Sequence, residues 1–477
     1  MRQPDSPGSL DPSHWADLRA QGHRMLDDMF EHLEGLRGQP LWQAPPDATR
    51  RRFRAELPWA PSDLREVHDQ FMADIAPYAS GNLHPGFMGW VQGGGAAVGM
   101  LADMLAAGLN ANLGGRDHMP IEVERQITAW MAALFGFPAD ASGVFLTGTS
   151  LANLCAVMIA RDRALGAQVR QTGVGETSIV AYASRGVHGC VVRAMDMTGL
   201  GSGRLRLIET DAEHRISLAA LERAITADRA NGLTPFLVVG TAGSVDVGAI
   251  DDLDGLAEIA AREAMTFHVD GALGALGVLS SRLAPRLSGI RRADSLALDF
   301  HKLGQVPYDA GFLLVRDAAA HKRTFSHGDA PYLRHAERGL AGGEFWPCDY
   351  GPDLSRGFRA LKVWFTLKTY GLERLGAVID GACDLAGRLA ARIAAEPELE
   401  LLAPVALNIV CFGYRGGDNA AIAADLQEAG RVAPSTTTIA GVTAIRAAIV
   451  NHRTQVCDID ALVDGVLAHG RARAAAS

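Results

Sequence analysis

The chain has 477 residues, 48% of them hydrophobic, with 45 Lys+Arg against 54 Asp+Glu and a formal net charge of −9. That balance excludes the net basic surface expected of a nucleic-acid binder and the low hydrophobicity of a disordered chain. Only four of the 45 basic residues are lysines (Lys302, Lys322, Lys362 and Lys368), and none precedes position 302.

Met1–Pro12 is polar and proline-containing, without the profile of a signal peptide. A helical apolar spacing follows from Trp15 to Leu36, with Ser13 as its expected cap, and then a stretch broken by Pro40, Pro45, Pro46, Pro58 and Pro61. From about residue 95 to 320, short apolar runs alternate with amphipathic stretches. The expected strands are Gly143–Leu146, Ser178–Ala183, Leu205–Ile208, Pro235–Val239, Thr266–Val269, Ser295–Leu298 and Gly311–Val315, with helices such as Leu151–Ala164, Leu218–Arg229 and Leu253–Glu263 between them. This alternation predicts an α/β domain with a mostly parallel central sheet. Helices over Leu354–Thr369 and Leu372–Ala395, then strands at Asn408–Phe412 and Ala444–Ala448, predict a smaller C-terminal α+β domain. The expected division is 1–90 as an N-terminal helical segment, 91–350 as the large domain and 351–477 as the small one. Six scattered cysteines without CxxC, and no apolar run of about 18 residues, point to a cytoplasmic protein with no membrane span.

GxxxxGK[ST], a strand–GxGxxG–helix unit, HExxH and GxSxG are all absent, and the 15 histidines show no metal-ligand spacing. The chemistry is expected at the carboxyl ends of the strands, where open parallel sheets bind ligands. Asp270 closes one strand, Asp299-Phe300-His301-Lys302 closes another, and His188 follows a third. Thr149 and Ser150 stand where a strand gives way to a helix, whose free N–H groups and dipole suit a phosphate. Each of these residues alone is commonplace: strand-end Asp and His are more often structural, and Thr-Ser at a helix start is usually a cap. Together they match pyridoxal phosphate, which needs a lysine to form an imine, an anion pocket and a carboxylate against its pyridine nitrogen.

His301-Lys302-Leu303-Gly304 followed by Pro307-Tyr308-Asp309-Ala310-Gly311 resembles the cofactor-lysine segment of the group II pyridoxal-phosphate-dependent amino-acid decarboxylases. His268–Ala272 resembles that family's HVDAA segment, and Gly143–Asn153 its phosphate-binding turn. His84-Pro85 with Leu101–Leu105 resembles its entrance region, Pro331–His335 its mobile loop and Phe358–Phe365 the helix after that loop.

The resemblance implies a type I pyridoxal-phosphate-dependent fold, like that of aspartate aminotransferase, and a homodimer with active sites at the interface. Lys302 would hold the cofactor as an imine, His188 would stack on its ring, Asp270 would pair with its pyridine nitrogen and Ala272 would pack on the ring. Gly148, Thr149, Ser150, Thr241 and His301 would surround the phosphate, with Asp299 close by. Trp90, Val91 and Gln92 would face the substrate, and Tyr332 would reprotonate the carbanion. The expected reaction is α-decarboxylation of an L-amino acid, with a lean toward aromatic side chains. Aldehyde-forming oxidative deamination, transamination with Arg446 as the carboxylate clamp, carbon–carbon lysis and a non-catalytic cofactor-binding protein are the alternatives.

Overall fold

The computed structural model describes residues 9–326 and 334–476. Its described strands, in chain order, are β1 (Phe87–Met88), β2 (Ser142–Leu146), β3 (Ile179–Ser184), β4 (Leu205–Ile208), β5 (Thr234–Thr241), β6 (Thr266–Asp270), β7 (Ser295–Asp299), β8 (Gly311–Val315), β9 (Leu399–Leu401), β10 (Ile409–Tyr414), β11 (Ala433–Ile439) and β12 (Val442–Ala448).

Seven of them form the main sheet in the order β2-β8-β7-β6-β5-β3-β4, in which β8 alone runs against its neighbours. These strands read as near-continuous apolar runs because both faces are covered. Val144, Leu146, Ala297, Leu313 and Val315 meet the helix Thr149–Leu165 through Ala152, Cys155, Ala156 and Ile159. Phe145, Leu296, Leu298 and Phe312 face the opposite layer, with Ile127 and Met131 of the helix Met119–Phe135. Alternation along each strand thus feeds two separate cores. The fold is the type I pyridoxal-phosphate architecture expected from the sequence.

The second sheet has the order β1-β11-β12-β10-β9 and is antiparallel except at β1, which pairs in parallel with β11. It packs on the helices Asn419–Glu428 and Val456–Ala476 and on the far half of Arg359–Ala395, burying Phe412, Ile445, Leu389 and Leu462.

Two local expectations are corrected. The first helix, Trp15–Gly35, is preceded by His14 rather than Ser13 at its N-cap, and no side chain caps it. The helix expected from Leu354 begins only at Arg359. The reason is Arg356, whose buried guanidinium reaches both Glu124 oxygens (2.6 and 3.1 Å) and the carbonyls of Leu113 and Phe145, drawing this segment into the core. The two helices expected on either side of residue 370 are present within Arg359–Ala395, separated at Gly371, whose φ of 71° and ψ of 162° lie outside any helix. Among the described residues no helix is long and apolar enough to cross a membrane, and no cluster of His, Cys, Asp and Glu has metal-binding geometry.

Candidate active site

Parallel register sets the floor of the site. Thr241 at the end of β5 lies opposite Asp270 at the end of β6, and Asp270 lies opposite Ala297, two residues short of Asp299 on β7. The carboxyl ends of three neighbouring strands therefore deliver Thr241, Asp270 and Asp299 to one edge. A cavity of about 500 Å³ opens there. Its walls bring together every described residue singled out from the sequence: Trp90, Val91, Gln92, Gly148, Thr149, Ser150, His188, Thr241, Asp270, Ala272, Asp299, His301 and Lys302. Tyr332 lies outside the described residues.

The helix Thr149–Leu165 starts directly after β2, with Gly148 as its N-cap in extended conformation. Neither Thr149 nor Ser150 is the cap, so their hydroxyls are not spent on it. Gly148 is packed against the backbone of Gly311: a side chain at Gly311 would put its Cβ 2.3 Å from Gly148 Cα. Gly93 is constrained in the same way, because a Cβ there would lie 2.3 Å from the carbonyl oxygen of His301. The glycines thus let the segments around Gly93 and Gly148 pack closely on the backbone around Lys302 and Gly311.

Lys302 Nζ stands 3.0 Å from Asp299 Oδ2, while Asp299 Oδ1 accepts the Thr149 N–H at 2.8 Å. Burial drives the Asp299 carboxyl up, but the charges of Lys302 and His301 and the Thr149 N–H outweigh it and hold the group below the ordinary carboxylate value. A buried acid at this helix end is thereby balanced by the lysine and the Thr149 N–H. His301 Nδ1 accepts the Ala310 N–H at 3.0 Å, which leaves Nε2 as the protonated nitrogen, 3.6 Å from Asp299.

Asp270 is held from behind by a chain absent from the sequence-based site. Ser295 Oγ–H donates to His268 Nδ1 (2.8 Å), His268 Nε2–H to Asn153 Oδ1 (2.8 Å) and Asn153 Nδ2–H to Asp270 Oδ2 (2.9 Å). The other oxygen, Oδ1, accepts the Ala272 N–H at 3.2 Å. Burial lowers the His268 pKa to about 4, which keeps the ring neutral and makes its single N–H a fixed donor. Asn153 and His268 sit inside motifs visible in the sequence, yet their linkage spans 115 residues and only the folded sheet reveals it. Cys190 also lines the cavity; burial and Asp270 push its thiol up to about 11, so it stays protonated.

Buried neutral histidines give a pH prediction. Burial depresses His268 and His452 to about 4 and His321 to about 3. Unfolded histidine titrates near 6.5, so as pH falls below about 6.5 the unfolded chain takes up protons that the folded one refuses. Stability is then complete above about pH 6.5 and falls by about 1.4 kcal/mol per pH unit per group below it. Thermal melts between pH 7 and 5 should show falling Tm. His321→Gln, remote from the cavity, should flatten that fall; an unchanged slope would show that His321 takes up its proton in the folded protein.

Two hydroxyls test whether the cavity suits the cofactor. Thr149 Oγ1 and Thr241 Oγ1 are buried and have no hydrogen-bond partner. An unpaired buried hydroxyl costs about 1–3 kcal/mol, so two of them beside a helix N-terminus point to an acceptor-rich ligand group such as a phosphate. A phosphate cup, a lysine amine and a braced carboxylate in one cavity define the site of a pyridoxal-phosphate enzyme.

Comparison with known proteins narrows this class. Residues 46–415 match the family described as pyridoxal-dependent decarboxylase conserved domain. The chain is 33% identical over 404 residues to the aromatic-L-amino-acid decarboxylase of Bacillus atrophaeus, covering 83% of this chain and 82% of that one. Among solved structures, Catharanthus roseus tryptophan decarboxylase in complex with L-tryptophan matches with a TM-score of 0.86 at 23% identity, over 97% of this chain and 100% of that one. Rhodiola rosea 4-hydroxyphenylacetaldehyde synthase matches with a TM-score of 0.85 at 22% identity, over 98% and 99%. The chain belongs to the pyridoxal-dependent decarboxylase family, and its cofactor is pyridoxal phosphate.

Proposed function

We propose that this protein removes the α-carboxylate of an L-amino acid with an aromatic side chain, releasing carbon dioxide and the amine. The observation that carries this reading is the cavity in which Lys302, the braced Asp270 and the unpaired Thr149 and Thr241 hydroxyls meet. Lys302 would hold the cofactor covalently through its amine. Gly148, Thr149, Ser150, Thr241 and His301 would hold the phosphate, Asp270 would pair with the pyridine nitrogen, and His188 and Ala272 would pack on the ring. Pyridoxal phosphate supplies the electron sink for the pair left behind when carbon dioxide departs. Trp90, Val91 and Gln92 receive the side chain, and Tyr332 returns a proton to Cα.

Decarboxylation is favoured over transamination by the state of Arg446. Its Nε donates to Asp246 O (3.0 Å), Nη1 to Trp90 O (2.9 Å) and Ser435 Oγ (3.1 Å), and Nη2 to Val245 O. All three nitrogens are engaged, so the guanidinium offers no free fork to clamp an α-carboxylate that must leave.

The active unit is a homodimer with its sites at the interface. The first helix supports this assignment, since it buries no residue within one chain and exposes Trp15, Leu18 and Met25. The N-terminal segment 1–90 packs on the partner in this reading. The six free thiols fit a reducing, cytoplasmic setting.

The decisive experiment incubates the holoenzyme with a panel of L-amino acids and quantifies carbon dioxide, amine, aldehyde and keto acid together. Equimolar carbon dioxide and amine from an aromatic substrate is the expected result. Aldehyde in place of amine would move the protein to the oxidative branch, and keto acid without carbon dioxide would make it a transaminase.

A further inference from the structure

Among the residues that line the cavity stands a carboxylate that the cofactor does not need. Asp246 lies in the loop after β5, lines the cavity and is half-buried. Its Oδ1 accepts the Thr437 hydroxyl at 2.6 Å, which fixes the carboxylate plane, while its second oxygen accepts no hydrogen bond and forms no ion pair among the described residues. Trp90 is tied to Asp246 through Arg446, which donates to the carbonyls of both residues. Trp90 is 56% exposed and lines the same cavity, so its indole can meet an aromatic side chain there.

We infer that Asp246 is a specificity-determining residue that accepts a hydrogen bond from a neutral donor on an aromatic side chain, a ring hydroxyl above all. This rests on the decarboxylase reading and goes beyond it by naming what the far end of the substrate must carry. The charges around Asp246 select the donor. Arg446 Nε donates to the Asp246 carbonyl at 3.0 Å, so one cation already stands beside this residue, which favours a neutral donor over a second cation. Acidic side chains are rejected, because the cationic groups on the cavity wall are engaged: Lys302 faces Asp299, and Arg446 is spent on carbonyls and Ser435. A site that binds a substrate hydroxyl discriminates against the analogue lacking it, because the polar group is then left unpaired.

The test compares L-tyrosine with L-phenylalanine on the holoenzyme, both by kcat/KM for carbon dioxide release and by Kd from the change in cofactor absorbance on binding. Wild type should prefer L-tyrosine by at least about tenfold in both measures. In Asp246→Ala that ratio should fall toward one, with Asp246→Asn, which keeps an acceptor oxygen, in between. Cofactor content and Tm confirm that each variant is folded and loaded. Preference for L-phenylalanine or L-glutamate, or a ratio unchanged in Asp246→Ala, would overturn the assignment. A tyrosine preference in binding without carbon dioxide release would leave Asp246 in its role and overturn the decarboxylase reading instead.

Discussion

Lys302→Ala should abolish the visible absorbance of the covalently held cofactor and reduce turnover by at least about 10⁴-fold, as expected when an attacking or anchoring nucleophile is removed. The expectation is unusually clean because the other three lysines are committed elsewhere. Lys362 is buried and donates to Asp103 (3.1 Å) and to the Tyr308 carbonyl (2.9 Å). Lys322 stands 3.5 Å from Asp349, and Lys368 lies over the Trp364 ring. Among the described residues no second amine lines the cavity to substitute. Arginine cannot replace it either, since its guanidinium does not lose its proton near neutral pH. Borohydride reduction of the holoenzyme followed by peptide mapping should place the label on Lys302. A retained band in Lys302→Ala, or a label elsewhere, would refute the assignment.

Asp270→Asn should keep the covalent absorbance and yet lower kcat by about 10²–10³-fold, the range for losing one charge-assisted hydrogen bond aimed at developing charge. The brace behind Asp270 sharpens this. Asn153 and the Ala272 N–H are both donors to the carboxylate. An amide in its place turns its own N–H₂ toward a donor, whichever way it is rotated. The pyridine nitrogen then loses its anionic partner, and the cofactor weakens as an electron sink. Asn153→Ala should show a smaller version of the same defect, because it removes the brace and leaves the charge. Wild-type kcat in Asp270→Asn would show that this carboxylate does not face the ring.

These expectations rest on features the sequence discloses unevenly. The strands of the main sheet are legible because both faces are buried and the runs are almost wholly apolar. Asp270, Asp299 and Lys302 stand out because charge at the end of such a run needs a reason. Other elements carry no such contrast. β11, with its run Ser435-Thr436-Thr437-Thr438, is polar and partly exposed and resembles a loop. β1 is two residues long and gains its identity only from a partner about 345 positions away. The Asp246 wall is assembled from a loop and two strands of the second sheet, so no local pattern announces it. Arg356 shows the opposite failure: a helical-looking segment is unwound by one buried ion pair that the sequence gives no means to anticipate.

The pairing of β1 with β11 also sets the order in which the protein can mature. Phe87 meets Ala433, Trp90 N–H meets Ser435 Oγ, and the Arg446 guanidinium holds the Trp90 carbonyl. A ribosome must extend the chain past Arg446 before the early entrance segment finds these partners, and contacts so distant along the chain form slowly. The seven-stranded sheet, complete by Val315, has all of its strands well before that. During synthesis a nascent chain would therefore hold the lysine and its anion cup while still lacking the wall that chooses a substrate. Competence to discriminate thus depends on strands made after the sheet beneath the lysine, and loss of β11 and β12 would remove selection before it removed the cofactor site.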